Sequence, residues 1–497
     1  MSISASEWGA LLPVAIPALA GSLIPLAALD RDQETVKWVR GGAFFIALLG
    51  LLGSFLYVSR LWGTGAQPTF GHLRMDLLAQ FSAIFVLVAA AMTVLQLWDH
   101  LHHEGWVKGE SLALLMLSVA GMLVFTATTN LVTLFLGLEL LSIPLYALTA
   151  QVRLRASALE GGLKYFLTGA VASACFLMGV VLLYTVTGSF ELPRVASALR
   201  GLGPDPLALA GMALVLLGFL FKVSAVPFHQ WTPDAYEAAP HPIAGFMSVA
   251  TKGVAFIALI RVFPWALGDG TAGEPKVKAA LALAAAATMI VGNLVALHQS
   301  SVKRMLAYSS ISHAGYLLLG LLAGTPQALT GMLFYLVAYL AMNLGAFGLL
   351  TALGLVGDQT GFDRLRGQGW KRPGLGIAAA ICFLSLAGIP PTAGFYGKYF
   401  IFKELILTGH VGLAVLGVLA SLVSVGYYLR VLKALFLEKP VEAEERQAAE
   451  QPQVLAPLAG ATVLVCAFIT LAGGFFQGPL VQRFAERAIA ETLKVLP

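Results

Sequence analysis

The sequence predicts an all-α polytopic membrane protein with about fourteen transmembrane helices. Of its 497 residues, 58% are hydrophobic and 11% are charged, and the mean hydropathy is +0.82. A soluble domain carries about 25% charged residues, more than twice this share. Apolar runs of about 18 residues or more, which are typical of transmembrane helices, recur along the whole chain. The composition therefore excludes a soluble enzyme.

Fourteen apolar windows have the length of about 20 residues that crosses a bilayer. They lie near 9–29, 39–59, 76–97, 110–128, 130–150, 161–187, 206–231, 241–263, 277–297, 302–323, 327–354, 376–404, 409–436 and 453–476. Because the number of windows is even, both termini are expected on the same side of the membrane. The first window begins near Trp8 without the basic segment of a cleavable signal peptide, so we expect it to remain as a helix.

Basic residues set the expected orientation, because cytoplasmic loops are enriched in Lys and Arg. The loops after odd-numbered windows hold more of them than the opposite side: Arg31, Lys37, Arg40, Lys108, Arg153, Arg155, Lys303, Arg304, Arg364, Arg366, Lys371, Arg372, Lys439 and Arg446. These loops are therefore predicted to be cytoplasmic, with both termini on the non-cytoplasmic side. The basic residues are scattered at helix ends rather than clustered, which argues against a nucleic-acid partner.

The three cysteines do not indicate a metal centre. Cys175, Cys382 and Cys466 each lie inside an apolar run, without a CxxC spacing. A zinc or iron–sulfur site needs clustered ligands, whereas an isolated cysteine in an apolar segment behaves as a small core hydrophobe. Since no dinucleotide, phosphate or haem motif is present either, we expect no cofactor and no metal in this chain.

Four ionisable residues lie near the middle of apolar windows: Glu139, Lys222, Lys252 and Lys398. Each costs about 2.5–3.5 kcal/mol at the centre of a bilayer on insertion scales, so such residues usually have a function. A lysine can also extend its ammonium to the interface. That alternative is weakest for Lys252, eleven residues from either end of its window, and for the short side chain of Glu139.

Prolines are expected to interrupt two windows close to these lysines. Pro227 follows Lys222 by five residues, and Pro390 and Pro391 precede Lys398. A simple kink is one explanation; two discontinuous helices are the other. The interrupted windows are the seventh and the twelfth, and an offset of five windows inverts the second unit relative to the first. Broken helices at matched positions of inverted repeats indicate a transport pathway.

Other residues leave alternatives open. His313 and His229 are further candidates for a proton relay, although a hydrogen-bonded structural histidine explains each equally well. Lys164 is a candidate for proton uptake or an ordinary interfacial anchor. Segment 441–453 is predicted to be a solvated linker. Segment 480–496 is amphipathic, so it lies on the membrane surface, docks on a neighbouring subunit or is solvated.

Several motifs carry a resemblance to a known family. They include LFLGLELLSIPLYAL, FKVSAVPFHQWTPDAYEAAPHPIAGFMSVATK, VKRMLAYSSISHAGYLL and LSLAGIPPTAGFYGKYFIF. From about residue 110 to 436 the chain resembles the antiporter-like membrane subunits of respiratory complex I, the proton-pumping NADH–quinone oxidoreductase, and among them the subunit N family. The resemblance implies fourteen helices with two inverted five-helix repeats, helices 4–8 and 9–13, in which helices 7 and 12 are discontinuous. The implied units are 1–109, 110–263, 277–436 and 437–497.

The resemblance also implies roles for the four charged residues. Glu139 would be the acidic partner of Lys222, Lys252 the connecting lysine, and Lys398 the exit-side residue. A lysine at the last position is similar to subunits N and L, whereas subunit M usually has glutamate; LSIPLYAL and HQWTPDAYEAAP favour N over L. NAD, FMN, iron–sulfur clusters and quinone would belong to other subunits, and subunits M and K would be neighbours in a bacterial cytoplasmic membrane.

The expected mechanism is conformationally gated proton translocation. One charge pair at about 4 Å is worth about 4 kcal/mol at an effective dielectric constant of 20. Moving one charge through 100 mV costs about 2.3 kcal/mol. Movement of Glu139 relative to Lys222 could therefore switch the lysine between holding and releasing a proton.

Three other functions are compatible with parts of the pattern. A subunit of a multi-subunit cation/proton antiporter shares the same repeats and charged positions. A stand-alone secondary transporter would need side chains suited to its solute, such as paired arginines, and the intramembrane groups here suit protons. A structural scaffold would leave the charges at mid-membrane as an uncompensated cost.

Overall fold

The computed structural model describes residues 5–27, 35–62, 69–103, 109–152, 155–202, 205–263, 274–355, 357, 360–439, 456–476 and 479–494. Its α-helices are α1 (Ala5–Ala27), α2 (Thr35–Leu61), α3 (Leu77–His103), α4 (Gly109–Ala127), α5 (Leu131–Thr149), α6 (Ala156–Thr187), α7 (Leu192–Gly201), α8 (Pro206–Lys222), α9 (Trp231–Ala238), α10 (His241–Phe246), α11 (Lys252–Val262), α12 (Glu274–Leu297), α13 (Val302–Ala323), α14 (Pro326–Ala352), α15 (Gln368–Lys371), α16 (Pro373–Ala387), α17 (Ala393–Leu407), α18 (Val411–Phe436), α19 (Pro457–Phe475) and α20 (Pro479–Lys494).

Short elements complete the described part. A π-helix (Met247–Thr251) joins α10 to α11, a 3₁₀ helix covers Phe362–Leu365, and strands β1 (Thr69–Phe70) and β2 (Leu73–Arg74) form a hairpin before α3. Twelve of the described helices are long and apolar enough to cross a membrane, and α8 and α16 are shorter apolar helices. Together these elements account for the fourteen predicted windows, and the all-α membrane fold is confirmed.

The seventh and twelfth windows are discontinuous, as predicted. α8 ends at Lys222, and helix resumes only at Trp231. α16 ends at Ala387, and α17 begins at Ala393. Each break contains a cis X–Pro peptide bond, at Val226–Pro227 and at Pro390–Pro391. The prolines lack the amide hydrogen that would continue a helix, so the breaks follow directly from the sequence.

Glycine has a specific use at the second break. Gly388, which ends α16, has φ of 82°, a left-handed conformation that side chains other than glycine rarely adopt. A Cβ at this position would also lie 3.1 Å from Nζ of Lys398. Gly388 therefore lets the chain turn sharply directly beside this lysine.

Some elements differ from the sequence expectation. The seventh window was predicted to stop at 231, but a second half-helix, α9, continues to Ala238. The sequence did not predict this half-helix because WTPDAYEA is too polar to be recognised as a membrane span. The sixth helix begins at Ala156, five residues before the start of its predicted window at 161, so Lys164 lies in the third turn of the helix. The short amphipathic α7 and the two-residue strands carry too little hydrophobic signal to be predicted.

Burial identifies the centre of the bundle. All of the apolar window in α10–α11 is buried, as is 94% of the windows in α13 and α14. The corresponding share is only 33% in α6 and α18. α13, α14 and the α10–α11 segment therefore form the interior, and α6 and α18 lie at the periphery.

The C-terminal amphipathic helix docks on its own chain. α20 packs against α3 and α14 through one buried face that contains Phe484, Ala485, Ala488 and Ile489. The sequence predicted a position on the membrane surface, on a neighbouring subunit or in solvent, and did not predict docking on the same chain. Segment 441–453, predicted to be a solvated linker, lies outside the described residues.

Candidate functional site

Glu139 lies on α5, and Lys222 of α8 contacts the same turn of that helix. The Glu139 carboxylate accepts a hydrogen bond from the Ser173 hydroxyl of α6. Lys222 is 3% exposed, and its Nζ donates to Oγ of Ser142 at 2.8 Å. Ser142 follows Glu139 by three residues, so the two side chains are neighbours on the helix. In the described part of the chain Lys222 makes no ion pair with Glu139, and Ser142 is its contact with α5.

The position of Glu139 differs from that of the lysines. Its side chain is partly buried, and three nearby residues of α5, Leu136, Leu140 and Ile143, are 57%, 41% and 58% exposed. Glu139 therefore lies at the edge of the bundle, between the interior and the outer apolar surface. Lys222 and the other two lysines are in the interior.

Lys252 is the first residue after the π-helix. It is 2% exposed, and its Nζ donates to both oxygens of Ser310 on α13, to the carbonyl at 2.7 Å and to Oγ at 2.5 Å. The sequence expectation that this lysine does not reach the interface is consistent with that position. The π-helix is a local widening of the helix that hydropathy cannot predict.

His313 lies one turn beyond Ser310 and connects three helices. Its Nδ1 is 2.5 Å from the Tyr335 hydroxyl of α14, and its Nε2 is 3.0 Å from the Tyr428 hydroxyl of α18. The Tyr428 hydroxyl also hydrogen bonds Ser309. A buried imidazole with a hydroxyl at each nitrogen is suited to proton exchange, because one nitrogen donates while the other accepts.

Lys398 is held by the helix break that precedes it. Its Nζ donates to the carbonyls of Leu386 and Ala387 at 3.1 and 3.3 Å, and to Oγ of Ser421 at 2.8 Å. The last carbonyls of a helix have no partner within that helix, so the end of α16 provides acceptors for the ammonium. The Tyr316 ring centroid is 4.9 Å from Nζ, and a cavity of about 540 Å³ lies alongside.

Helix α13 links the second and third lysines. Ser310 contacts Lys252, and His313 and Tyr316 follow at intervals of three residues toward Lys398. The hydroxyl partners Ser142, Ser310, Tyr335, Tyr428 and Ser421 were all missed in the sequence. The polar letters of SSISHAGY inside an apolar helix were the available signal for Ser309, Ser310 and Tyr316.

Two lower-ranked candidates lie apart from these residues. Lys164 is 47% exposed and pairs with Glu160 at 2.8 Å and with Asp234 at 2.9 Å. Arg304 also pairs with Asp234, at 2.9 Å, so Lys164 belongs to an ion-pair network that joins α6, α9 and α13. His229 lies in the first break, and within the described residues its side chain contacts none of the four central charged groups.

Among the described residues, no group of three or more His, Cys, Asp or Glu side chains is placed to hold a metal ion. Cys382 and Cys466 are buried, and Cys175 is partly buried. All three are free thiols.

Comparison with known proteins assigns the chain to a family. The profile of the family described as "NADH:quinone oxidoreductase/Mrp antiporter, TM" matches residues 128–424. The chain belongs to this antiporter family. The matched region contains Glu139, Lys222, Lys252 and Lys398.

Individual members of the antiporter family match over nearly the whole chain. A protein of Trichlorobacter lovleyi called NADH-quinone oxidoreductase subunit N is 38% identical over 488 residues, which cover 96% of this chain and 97% of the relative. A protein of the same name from Salinibacter ruber is 40% identical over 472 residues, covering 92% and 91%. A chain in respiratory complex I from Thermus thermophilus with bound aureothin is 34% identical with a TM-score of 0.78, covering 95% and 99%.

Proposed function

We propose that this protein is the proton-translocating membrane subunit N of an NADH–quinone oxidoreductase. The alignments with two relatives of that name cover more than 90% of this chain and more than 90% of each relative. The observation that carries the mechanism is the set of three buried lysines, each bonded to a hydroxyl group and none paired with a carboxylate among the described residues. Such ammonium groups are suited to exchange protons rather than to hold a fixed ion pair.

Glu139 controls the first lysine in this mechanism. A carboxylate brought to about 4 Å from an ammonium stabilises it by about 4 kcal/mol at an effective dielectric constant of 20. Since Ser142 already joins Lys222 to the turn that carries Glu139, a small rotation of α5 or α6 changes the separation of the charges. Lys222 holds a proton when Glu139 is near and releases it when Glu139 turns away.

The released proton continues through the interior. Lys252, Ser310 and His313 lie in order along the contact between α11 and α13, and Lys398 follows beside Tyr316. Water molecules complete the connections, because the direct contacts do not form an unbroken chain. Lys398 is the release-side residue in this proposal. Lys164 and His229 are secondary candidates in this proposal: Lys164 for proton uptake and His229 for a place in the proton relay.

In this proposal the redox cofactors are bound by other subunits of the complex. NAD, FMN, iron–sulfur clusters and quinone are assigned to other subunits of the complex, and subunits M and K are assigned as neighbours. The membrane is the bacterial cytoplasmic membrane, with both termini on the non-cytoplasmic side according to the distribution of Lys and Arg. The inverted repeats are assigned to 110–263 and 277–436.

The test uses the intact complex in sealed inverted membrane vesicles. We expect Glu139→Ala and Lys222→Ala to reduce NADH-driven proton uptake severalfold, measured by quenching of a pH-sensitive dye. Glu110→Ala and Lys371→Ala, at exposed positions, are matched controls that should pump normally. Assembly is checked by native electrophoresis. Normal pumping by assembled Glu139→Ala or Lys222→Ala complexes would refute the proposed function of these residues.

A cation/proton antiporter subunit is the second candidate, because the family description also includes Mrp antiporters. Expression in a strain without sodium/proton antiporters separates the two functions. Sodium- or potassium-dependent proton efflux without NADH would favour the antiporter. Its absence, together with NADH-dependent pumping, would favour the oxidoreductase.

A further inference from the structure

Helix α14 carries one continuous ridge of residues at four-residue spacing. Its members, called here the α14 ridge, are Tyr335, Tyr339, Asn343, Phe347 and Thr351. Side chains four residues apart form a row along a helix surface. Four of the five are polar although every one is 1% exposed or less. Polar side chains at this depth need partners, and the partners show what the ridge connects.

One end of the ridge belongs to the relay already described. Tyr335 contacts His313 at 2.5 Å, and the Tyr339 ring centroid is 5.1 Å from that of His313. Asn343 Nδ2 donates to the Tyr339 hydroxyl at 3.2 Å and to Oγ of Ser248 at 2.5 Å. Ser248 lies on the π-helix, one turn before Lys252. The polar groups thus extend from the centre of the bundle as far as Asn343.

The other end of the ridge meets a buried histidine pair. His241 begins α10 and is 1% exposed. Its ring has no side-chain hydrogen-bond partner in the described part of the chain, and the backbone of Leu355, one turn after Thr351, lies against it. Its ring centroid is 5.3 Å from that of His100 on α3. The Thr351 hydroxyl is likewise buried without a partner among the described residues.

Packing between glycines and their neighbours places these groups at one level. A Cβ on Gly245 would lie 3.1 Å from Cβ of Phe347, and a Cβ on Gly348 would lie 2.7 Å from Nε2 of Gln96. His241 is four residues before Gly245 on α10, and His100 is four residues after Gln96 on α3. His241 and His100 each lie one turn from a residue that contacts α14, and Thr351 lies one turn after Phe347. The three residues are therefore at about the same height along α14.

Phe347 is the single interruption between the two polar groups. It is 0% exposed, packs against Gly245 of α10, and its ring centroid is 6.4 Å from that of Tyr236. By its place in the ridge, this apolar side chain separates Asn343 from Thr351. Buried polar atoms without a protein partner are satisfied by ordered water. Water is thus expected at the Thr351 hydroxyl and at Oδ1 of Asn343, neither of which has a partner among the described residues.

We propose that His241, Thr351 and Asn343 form a second proton-access route, from the end of the bundle where α10 begins to Lys252, with Phe347 as the barrier inside it. The inference rests on the proposed function. It adds an access point between α10 and α14, separate from Glu139 and Lys222. By the proposed orientation this end is cytoplasmic. His241 has the acid–base chemistry to pass protons to the water beside Asn343 when the Phe347 ring moves.

The barrier is tested without measuring proton translocation. The variants Thr351→Cys and Asn343→Cys are made in the intact complex after Cys175, Cys382 and Cys466 are replaced by Ala. We expect a small water-soluble methanethiosulfonate added to inverted vesicles to label Thr351→Cys but not Asn343→Cys. Adding Phe347→Ala should make Asn343→Cys reactive, whereas Phe125→Ala, a buried phenylalanine elsewhere, should not. An unreactive Thr351→Cys, or an Asn343→Cys that reacts without Phe347→Ala, would contradict the route.

The role of the histidine is tested by pumping. We expect His241→Leu to reduce NADH-driven proton uptake severalfold, and His241→Gln, which keeps a hydrogen-bonding side chain but cannot carry a proton, to reduce it to the same extent. His298→Leu, at an exposed histidine, is the matched control and should pump normally. Restored pumping in His241→Gln would show that hydrogen bonding or packing is enough and would overturn the proposal, as would normal pumping in both variants.

The two proposals fail in different ways. If Glu139→Ala and Lys222→Ala pump normally while the thiol labelling behaves as expected, the proposed function of those residues fails and the access route stands. If those variants stop pumping but Thr351→Cys is unreactive, the route fails and the proposed function stands.

Discussion

At the scale of single residues, the lysines share one design: each ammonium is bonded to neutral oxygens. Lys222 has a serine hydroxyl, Lys252 both oxygens of one serine, and Lys398 two carbonyls and a serine hydroxyl. A carboxylate in contact would hold the proton permanently, whereas neutral acceptors satisfy the hydrogen bonds without fixing the charge. The distance of Glu139 from Lys222 is therefore the adjustable quantity.

The tyrosines beside His313 provide a prediction at this scale. Tyr335→Phe and Tyr428→Phe each remove one hydroxyl and leave a buried ring nitrogen without its partner, which costs about 1–3 kcal/mol. We expect either variant to slow NADH-driven proton uptake in inverted vesicles by about tenfold, the factor that corresponds to 1.4 kcal/mol. Tyr399→Phe, at a residue 48% exposed, is the control and should leave uptake unchanged. Unimpaired pumping by both variants would remove His313 from the relay.

The sequence predicted the charged residues of the site better than their partners. Glu139, Lys222, Lys252 and Lys398 are conspicuous because a charge in a membrane helix is costly. Ser142, Ser310 and Ser421 are not, because a hydroxyl in an apolar helix can bond its own backbone at little cost. Only their placement against a lysine of another helix gives them a role, and that placement depends on packing.

At the scale of elements, a buried ion pair joins α3 to α11. Arg261 contacts both carboxylate oxygens of Asp76, at 2.6 and 2.7 Å, and Asp76 also accepts the amide hydrogen of Ala79 at 2.9 Å. Burial raises the pKa of Asp76, but the Arg261 guanidinium outweighs it and holds the pKa below the ordinary value of 3.8. The pair connects the start of α3 to the end of the segment that carries Lys252.

This pair has a testable effect on stability. Asp76→Asn leaves Arg261 buried without its counter-ion, which costs about 3–5 kcal/mol, so we expect a lower melting temperature of the purified complex at pH 7. Because the folded pKa is depressed, the contribution of Asp76 is fully present above the unfolded pKa and is lost only as pH falls through the folded pKa. The difference from wild type should therefore stay constant down to about pH 5 and narrow below about pH 4. Asp363→Asn, at a side chain 47% exposed, is the control. A difference that narrows between pH 7 and pH 5 would contradict the assignment.

Sequence reasoning found the long elements and lost the irregular ones. The prolines predicted both breaks, but not that the second half of the seventh window is the polar α9, which ends at Ala238. The π-helix before Lys252 leaves no trace in hydropathy. Irregular backbone is tolerated in a membrane where protein satisfies it, and Trp231 shows how, since its Nε1 donates to the carbonyl of Phe221 at 3.2 Å across the first break.

At the scale of the whole molecule, the C-terminal helix α20 docks on the rest of the chain through aromatic contacts. The Phe484 ring on α20 stacks on Trp62, with centroids 3.5 Å apart, and lies 6.2 Å from Phe81 of α3. The exposed face of the same helix carries Arg483 and Arg487. This division into two faces explains both the amphipathic sequence and the docking on α3 and α14.

Loss of the Phe484 ring should release this helix. Burying a phenylalanine in place of alanine is worth about 3–5 kcal/mol, so in Phe484→Ala we expect much faster trypsin cleavage at Arg483 and Arg487 in the intact complex. Glu486→Ala, on the exposed face, should be cleaved at the wild-type rate. Equal rates in the two variants would show that α20 is held by other contacts.

The position of α13 has a mechanical consequence for the pump. This single helix contacts Lys252 through Ser310 and Lys398 through the Tyr316 ring, and the imidazole of His313 lies between these two residues of α13. A twist of the helix about its long axis would disturb both ammonium groups in the same instant. We therefore expect the environments of Lys252 and Lys398 to change together, rather than independently, when this helix moves.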